Sequence, residues 1–258
     1  MLAEERYKTI LELLGKNNSI KSSYLIKLFN VSVETVRRDL EHLEKEGFLH
    51  RVHGGAVLDE INPKSVDFTV REKTHNKEKV EIAKNAIQFI SEGSVIALDN
   101  GTTTLEIAKI LKKKFNKLTI LTHSLLVVEE LINEPNYTII LLGGIVNGKD
   151  KSLKGALVEN YIDLFHIDIA FISISGVSIK EGATEFELDT IPIQKKLIKR
   201  SRQKILLADS SKFGVVSLLK VCDLNDVDCI ITDSNLKDTI YEKYKERGIS
   251  VIKTASIK

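Results

Sequence analysis

The sequence predicts a two-part α/β protein, with a small helical unit closed by a β-hairpin followed by a larger unit built on a mostly parallel sheet. Three observations predict it. Residues 1–58 carry dense helical periodicity and end near a Gly-Gly pair. From about residue 76 short β-branched runs alternate with helical patterns, a rhythm that specifies parallel strands covered on both faces. Between them, residues 59–75 hold Pro63, mixed charge and no sustained apolar period, and read as a linker. The domains are therefore drawn at 3–58 and 76–258.

In the first unit, Tyr7, Ile10, Leu11, Leu13 and Leu14 share one face of a helix over about 3–16. Ser22 is placed to cap a short second helix that carries Tyr24, Leu25, Leu28 and Phe29 and ends at Asn30. Ser32 is placed to cap a third, running to about Glu46, with Val33, Val36, Leu40 and Leu43 as its expected buried stripe and Gly47 closing it. Residues 48–58 alternate in part and turn on Gly54-Gly55, as a hairpin does. Three helices and a hairpin make a winged helix-turn-helix.

In the second unit, strands are expected at 95–98, 118–121, 138–142, 167–172, 204–207, 229–232 and 250–252. Helical patterns at 105–114 and 236–247 fall between some of them.

Composition narrows the function classes. The 258 residues carry 38 Lys and Arg against 36 Asp and Glu, a net charge of +2, so any polyanion contact must come from a local patch. No apolar run approaches the roughly 18 to 20 residues of a membrane span, and the first residues are acidic where a leader would be basic. A soluble, cytoplasmic protein without a membrane partner is expected. Cys222 and Cys229 stand alone, without the His or Cys neighbours of a metal site or a disulfide framework. No metal or cofactor is expected.

The third helix turns its polar face outward. From its first turns Ser32, Thr35 and Arg38 can reach base edges or phosphates, and Arg37 can grip phosphate. Arg51 and His53 flank Gly54 in the wing, where a backbone without a side chain approaches a sugar-phosphate chain closely. Charge alone leaves an ordinary solvated face equally open, because residues 37–53 hold four basic and four acidic side chains.

In parallel sheets ligands sit at the carboxyl ends of strands. The first such loop, Asp99-Asn100-Gly101-Thr102-Thr103-Thr104, joins a glycine and three hydroxyls to a helix N-terminus, which suits phosphate. Gly101 is expected to let backbone approach the anion, although a lone Gly-Thr-Thr also serves as a plain helix cap. His123, Ser124, Gly143, Gly144 and Lys212 follow later strands.

The core "VSVETVRRDLEHLEKEGFLHRVHGGAVL" resembles the helix-turn-helix domain of the DeoR family of bacterial transcriptional regulators. "DNGTTTLEIAKIL", "LTHSLLVVEEL", "IILLGGIV", "KGALVENYI" and "ILLADSSKFG" resemble its C-terminal effector domain, which is similar in fold to ribose-5-phosphate isomerase. The resemblance implies double-stranded operator DNA as one partner and a phosphorylated sugar or polyol as effector. Phosphate would fall on Asn100 to Thr104, with His123, Lys212, Glu187 and Lys195 nearby. It also implies a homodimer or larger homo-oligomer, since operators are palindromic. Departures from the family pattern occur at Asn100, at His123, over 171–176 and 182–187, and at Gln194, which stands where the family has a lysine. The competing reading is an aldose-ketose isomerase carrying a DNA-binding module, with Asp99, Glu185, Glu187 and Asp189 as candidate bases.

Overall fold

The computed structural model describes residues 2–17, 19–45, 49–57 and 68–254, and divides into two compact units, Met1–His75 and Asn76–Lys258. Gly47, Phe48 and the stretch 58–67, including Pro63, lie outside the described residues.

The first unit contains helices α1 (Ala3–Asn17), α2 (Ser22–Phe29) and α3 (Val33–Lys45), and strands β1 (Ser19–Lys21), β2 (His50–Val52) and β3 (Gly55–Val57). Ile10 and Leu14 of α1, Leu25 and Phe29 of α2, and Val36, Leu40 and Leu43 of α3 are buried together. Asn30 ends α2 in the left-handed conformation, φ 53, which its short polar side chain tolerates. Between α1 and α3 the Arg6 guanidinium donates to both oxygens of the Asp39 carboxylate, at 2.6 and 2.9 Å.

Three expectations change here. Ser22 does not cap α2, because residues 19–21 pair with β3 and the helix starts from an extended Lys21. Val33 is 67% exposed, so the buried stripe begins at Val36. The second half of the expected linker is helical: α4 (Phe68–Lys73) buries Phe68.

The second unit adds α5 (Asn76–Ala86), β4 (Val95–Leu98), α6 (Thr102–Leu111), β5 (Leu118–Thr122), α7 (Leu125–Leu131) and β6 (Tyr137–Leu141). A hairpin of β7 (Ile145–Asn147) and β8 (Ser152–Lys154) leads to α8 (Ala156–Ile162) and β9 (Ile167–Ser173). Then come β10 (Gly176–Ser178), β11 (Gly182–Glu185), α9 (Ile191–Arg200), β12 (Ser201–Leu207) and β13 (Leu219–Cys222). The described chain closes with β14 (Cys229–Thr232), α10 (Asp238–Glu246) and β15 (Val251–Lys253).

Seven strands form one sheet in the order β15-β14-β12-β9-β4-β5-β6, and every neighbouring pair is parallel. Successive residues alternate between two cores. Ile96, Leu98, Phe171 and Leu207 pack with α5, α6 and α7, whereas Ala97, Ala170, Ile172 and Leu206 pack with α8, α9 and α10. Burial on both faces is why these strands read as continuous apolar runs. The chain leaves β4 toward β5 and β6, then returns to place β9 on the other side of β4. The order thus reverses between β4 and β9, the place at which ligands bind in open parallel sheets.

Candidate functional site

On the first unit, the Ser32 hydroxyl caps α3, accepting from the Thr35 amide at 3.1 Å and lying 2.9 Å from the Thr35 hydroxyl. Arg37 and Arg38 are exposed, and both rest on Glu34. Hydrogen bonding from Arg37 holds the Glu34 carboxyl down at about 2, so it stays ionised. Arg37 also lies 3.5 Å from Glu41. Arg51 donates its backbone amide and its side chain to Glu44, at 2.8 and 2.7 Å, which ties the wing to the end of α3. His53 is exposed at the wing turn, where Gly54 has φ +85, a conformation that favours glycine. Gly55 has a different reason to lack a side chain, since a Cβ there would lie 2.1 Å from the Ile20 carbonyl oxygen of β1.

On the second unit, the loop after β4 is organised by Asp99, which is 1% exposed. Its Oδ1 accepts from the Asn100 amide at 2.8 Å and lies 3.0 Å from His123 Nε2. Gln194 Nε2 donates to its Oδ2 at 3.0 Å and to the Ser173 carbonyl at 2.9 Å. His123 Nδ1 faces the Leu153 carbonyl at 3.0 Å, an acceptor, so that nitrogen carries a proton. His123 is fully buried with both ring nitrogens engaged, and it positions the loop. Ser124, also buried, caps α7 by accepting from the Val127 amide.

Thr104 closes the start of α6. Its hydroxyl accepts from the Gly101 amide at 3.0 Å and donates back to the Asp99 carbonyl at 2.6 Å. Among the described residues, nothing accepts from the amides of Thr102 and Thr103, the first two of α6. Packing alone requires the glycine before them to lack a side chain. A Cβ at Gly101 would lie 2.1 Å from Ser173 Oγ of β9. Gly144 is likewise a packing glycine, with the Lys154 carbonyl and a Val158 methyl each 2.6 Å from its missing Cβ, while Gly143 is open.

Two cations differ from expectation. Lys195 is exposed on α9, whose buried positions are Ile191, Ile193, Gln194 and Leu197, so it does not face the Asp99 loop. The buried cation beside the loop is instead Lys154, on a hairpin the sequence reading did not find. It donates to Asp150 at 2.9 Å and to Glu187 at 2.5 Å, and Glu187 also accepts from Thr190 at 3.0 Å. Burial pulls the Lys154 ammonium down, but these carboxylates outweigh it and hold it above its usual value. Lys212 is half-buried in the short turn after β12.

Around this loop, among the described residues, four buried polar atoms have no hydrogen-bond partner: Asn100 Oδ1, Ser152 Oγ, Ser173 Oγ and Gln194 Oε1. A buried polar atom left unpaired costs about 1 to 3 kcal/mol. Gathered around one loop beside a helix N-terminus, they are polar groups that a ligand could engage. A cleft of about 340 Å3 lies at the opposite end of the strands, between Gly93, Asp168 and Arg202, away from these groups.

Residues 6–62 match the DeoR-like helix-turn-helix domain, and residues 74–234 match the DeoR C terminal sensor domain. The chain belongs to the DeoR family. Among its DeoR-type relatives, the HTH-type transcriptional regulator GolR of Listeria innocua is 36% identical over 251 residues, 97% of this chain and 98% of the relative. The HTH-type transcriptional repressor GlcR of Bacillus subtilis is 32% identical over 98% of this chain and 97% of its own length. The L-fucose operon activator of Haemophilus influenzae is 31% identical over 94% and 96%. A D-ribose-5-phosphate isomerase solved with phospho-erythronic acid overlaps 54% of each chain, with 22% identity and a TM-score of 0.40. As a DeoR-family protein the chain is a DNA-binding transcriptional regulator with a C-terminal sensor domain. Among the described residues, no helix is long and apolar enough to cross a membrane, and no cluster of His, Cys, Asp and Glu could hold a metal ion.

Proposed function

We propose that the chain represses a carbohydrate-utilisation operon in the cytoplasm and changes its hold on operator DNA when a phosphorylated sugar or polyol binds the sensor. As a homodimer or larger homo-oligomer, it sets α3 into the major groove with Arg37, Arg38, Ser32 and Thr35 forward, while Arg51, His53 and Gly54 of the wing meet the backbone. The effector's phosphate takes the open amides of Thr102 and Thr103, where the helix dipole favours a dianion. Its sugar end lies against Asn100, Ser173 and Gln194.

The observation that carries this reading is the set of unpaired polar atoms gathered where the strand order reverses. Regulation rather than isomerisation is supported by the candidate bases. Asp99 is held by His123, Asn100 and Gln194, Glu185 accepts from Ser175 and Phe186, and Glu187 is held by Lys154 and Thr190. Asp189 is exposed. A base for carbon acids must face the substrate carbon. Coupling to DNA requires only that the effector bind one conformation better than another.

The test is operator binding, by fluorescence anisotropy, to the promoter DNA flanking the protein's own gene, with and without a panel of sugars and their phosphates. Phosphorylated members should shift the midpoint and free sugars should not. Equal action by a sugar and its phosphate would refute the sensor reading, and failure to bind that DNA would refute the operator reading.

A further inference from the structure

The Asp99 carboxylate is bracketed by two amides whose orientations are fixed. Gln194 Nε2 donates to Asp99 Oδ2 and to the Ser173 carbonyl. Both are acceptors, so the nitrogen must face them and Oε1 must face elsewhere. Asn100 Nδ2 donates to the Asp150 carbonyl at 3.2 Å, which fixes its Oδ1 by the same logic. Both oxygens are buried without a partner. An amide oxygen only accepts, so each lacks a donor. A ligand hydroxyl supplies one, whereas a carbonyl, an ether oxygen or a phosphate dianion does not.

We propose that Gln194 is the specificity-determining residue of the sensor: its Oε1, with Asn100 Oδ1, accepts hydrogen bonds from hydroxyls of the phosphorylated ligand. A sugar phosphate that presents a carbonyl or a deoxy carbon at that position is excluded, because the site is then left with a buried oxygen unpaired. The family lysine that the resemblance places at this position would donate to Asp99 but accept from nothing, so the exchange to glutamine converts a donor into a donor and acceptor. The proposal rests on the sugar-phosphate reading above and narrows it to ligands with a hydroxyl at a defined carbon.

The experiment is calorimetric titration of the full chain with hexose 6-phosphates, hexitol 6-phosphates and their monodeoxy counterparts, for the wild type and Gln194→Lys. Lysine keeps a donor for Asp99 and the Ser173 carbonyl and removes Oε1. For the wild type, at least one monodeoxy analogue should bind about ten- to hundredfold more weakly than its parent. For Gln194→Lys, at least one parent and analogue that the wild type distinguishes should bind within about twofold of each other, the Gln194 oxygen being gone while Asn100 Oδ1 still reads its own hydroxyl. Undiminished discrimination by Gln194→Lys overturns the assignment. So does a wild type indifferent to every deoxy position, which would give the two oxygens to water. If Gln194→Lys fails to melt cooperatively, Gln194→Met takes its place and the wild-type series still decides. Should no phosphorylated compound of the panel bind the wild type, the sugar-phosphate reading itself fails, a result distinct from binding without deoxy discrimination.

Discussion

The exposed face of α3 and the loops after β4 and β9 treat polar groups in opposite ways. On α3 and the wing the exposed guanidinium groups of Arg37, Arg38 and Arg51 have partners: Arg37 and Arg38 on Glu34, and Arg51 on Glu44. Such surface pairs contribute little net stability, so DNA phosphate can take the place of glutamate at small cost. In these loops the groups are buried and held from behind by hydrogen bonds, and four of their polar atoms have no protein partner. On the function proposed above, one surface would work by exchanging partners and the other by acquiring them. The first therefore depends on salt and charge, and the second on shape and on which atoms a ligand offers.

The largest effect should come from the charged pair between α1 and α3, whose carboxylate is buried. Asp39 is 3% exposed and holds Arg6 through both oxygens. Asp39→Ala should cost the helix-turn-helix unit about 2 to 4 kcal/mol, since it removes both carboxylate acceptors of a part-buried guanidinium. Calorimetry should show that loss while the sensor's ligand-induced stabilisation persists. A loss as small as that of a surface pair would break the distinction between buried and exposed charge on which the comparison stands.

Next comes the glycine between the two strands. Gly101→Ala should destabilise the sensor by about 1 to 3 kcal/mol, because its Cβ overpacks against Ser173. Adding Ser173→Gly should restore much of the loss in chemical denaturation. An uncompensated double variant would return Gly101 to the role of anion contact.

The third concerns the reading head. Arg37→Ala or Arg38→Ala should weaken operator binding about five- to hundredfold without altering the melt. Arg37→Ala should mainly reduce the salt slope, and Arg38→Ala the sequence preference. Glu34→Gln should act the other way and tighten binding severalfold, by removing the carboxylate that competes with phosphate. Unchanged affinity in all three would remove α3 from the interface.

The smallest effect belongs to the cysteines, buried polar groups with no role in either surface. Burial pushes Cys222 up to about 12 and Cys229 up to about 11. Thiols of the unfolded chain ionise from an ordinary value near 9. The unfolded state therefore releases protons that the folded state keeps, and stability should fall as pH rises from about 9 toward these values. Iodoacetamide at pH 8 should label neither thiol until the protein unfolds. Prompt labelling of the folded protein would contradict their burial.

All seven strands of the sheet were legible in the sequence to within a few residues, because strands buried on both faces are short, apolar and β-branched. The three helices of the first unit were legible for a similar reason, a clear apolar period. What stayed hidden depends on distant chain. The β7-β8 hairpin has three residues a strand, and the Leu153 amide and carbonyl are anchored by His123 some thirty residues away. Lys154, Asp150 and Ser152 went unseen with it. The α2 cap moved to Lys21 because β1 pairs with β3, which no local pattern announces. Gln194 is marked in the sequence only as a departure from the family pattern, and its place at the site was legible as well. Ile191, Gln194 and Leu197 recur every three residues on the buried face of α9, whereas Lys195 is turned about 100° from Gln194. A polar residue inside that apolar stripe is the signal.

The central claim is that the sensor's unpaired groups are completed by a phosphorylated ligand, with the phosphate on the first amides of α6. Hydrogen exchange of the full chain, read residue by residue by NMR with a sugar phosphate that shifts operator binding, tests it most directly. The Thr102 and Thr103 amides, unpaired in the free protein, should gain the strongest protection, with the amides of α3 and the wing changing less. Saturation by that ligand with Thr102 and Thr103 unprotected would place the phosphate elsewhere and contradict the claim.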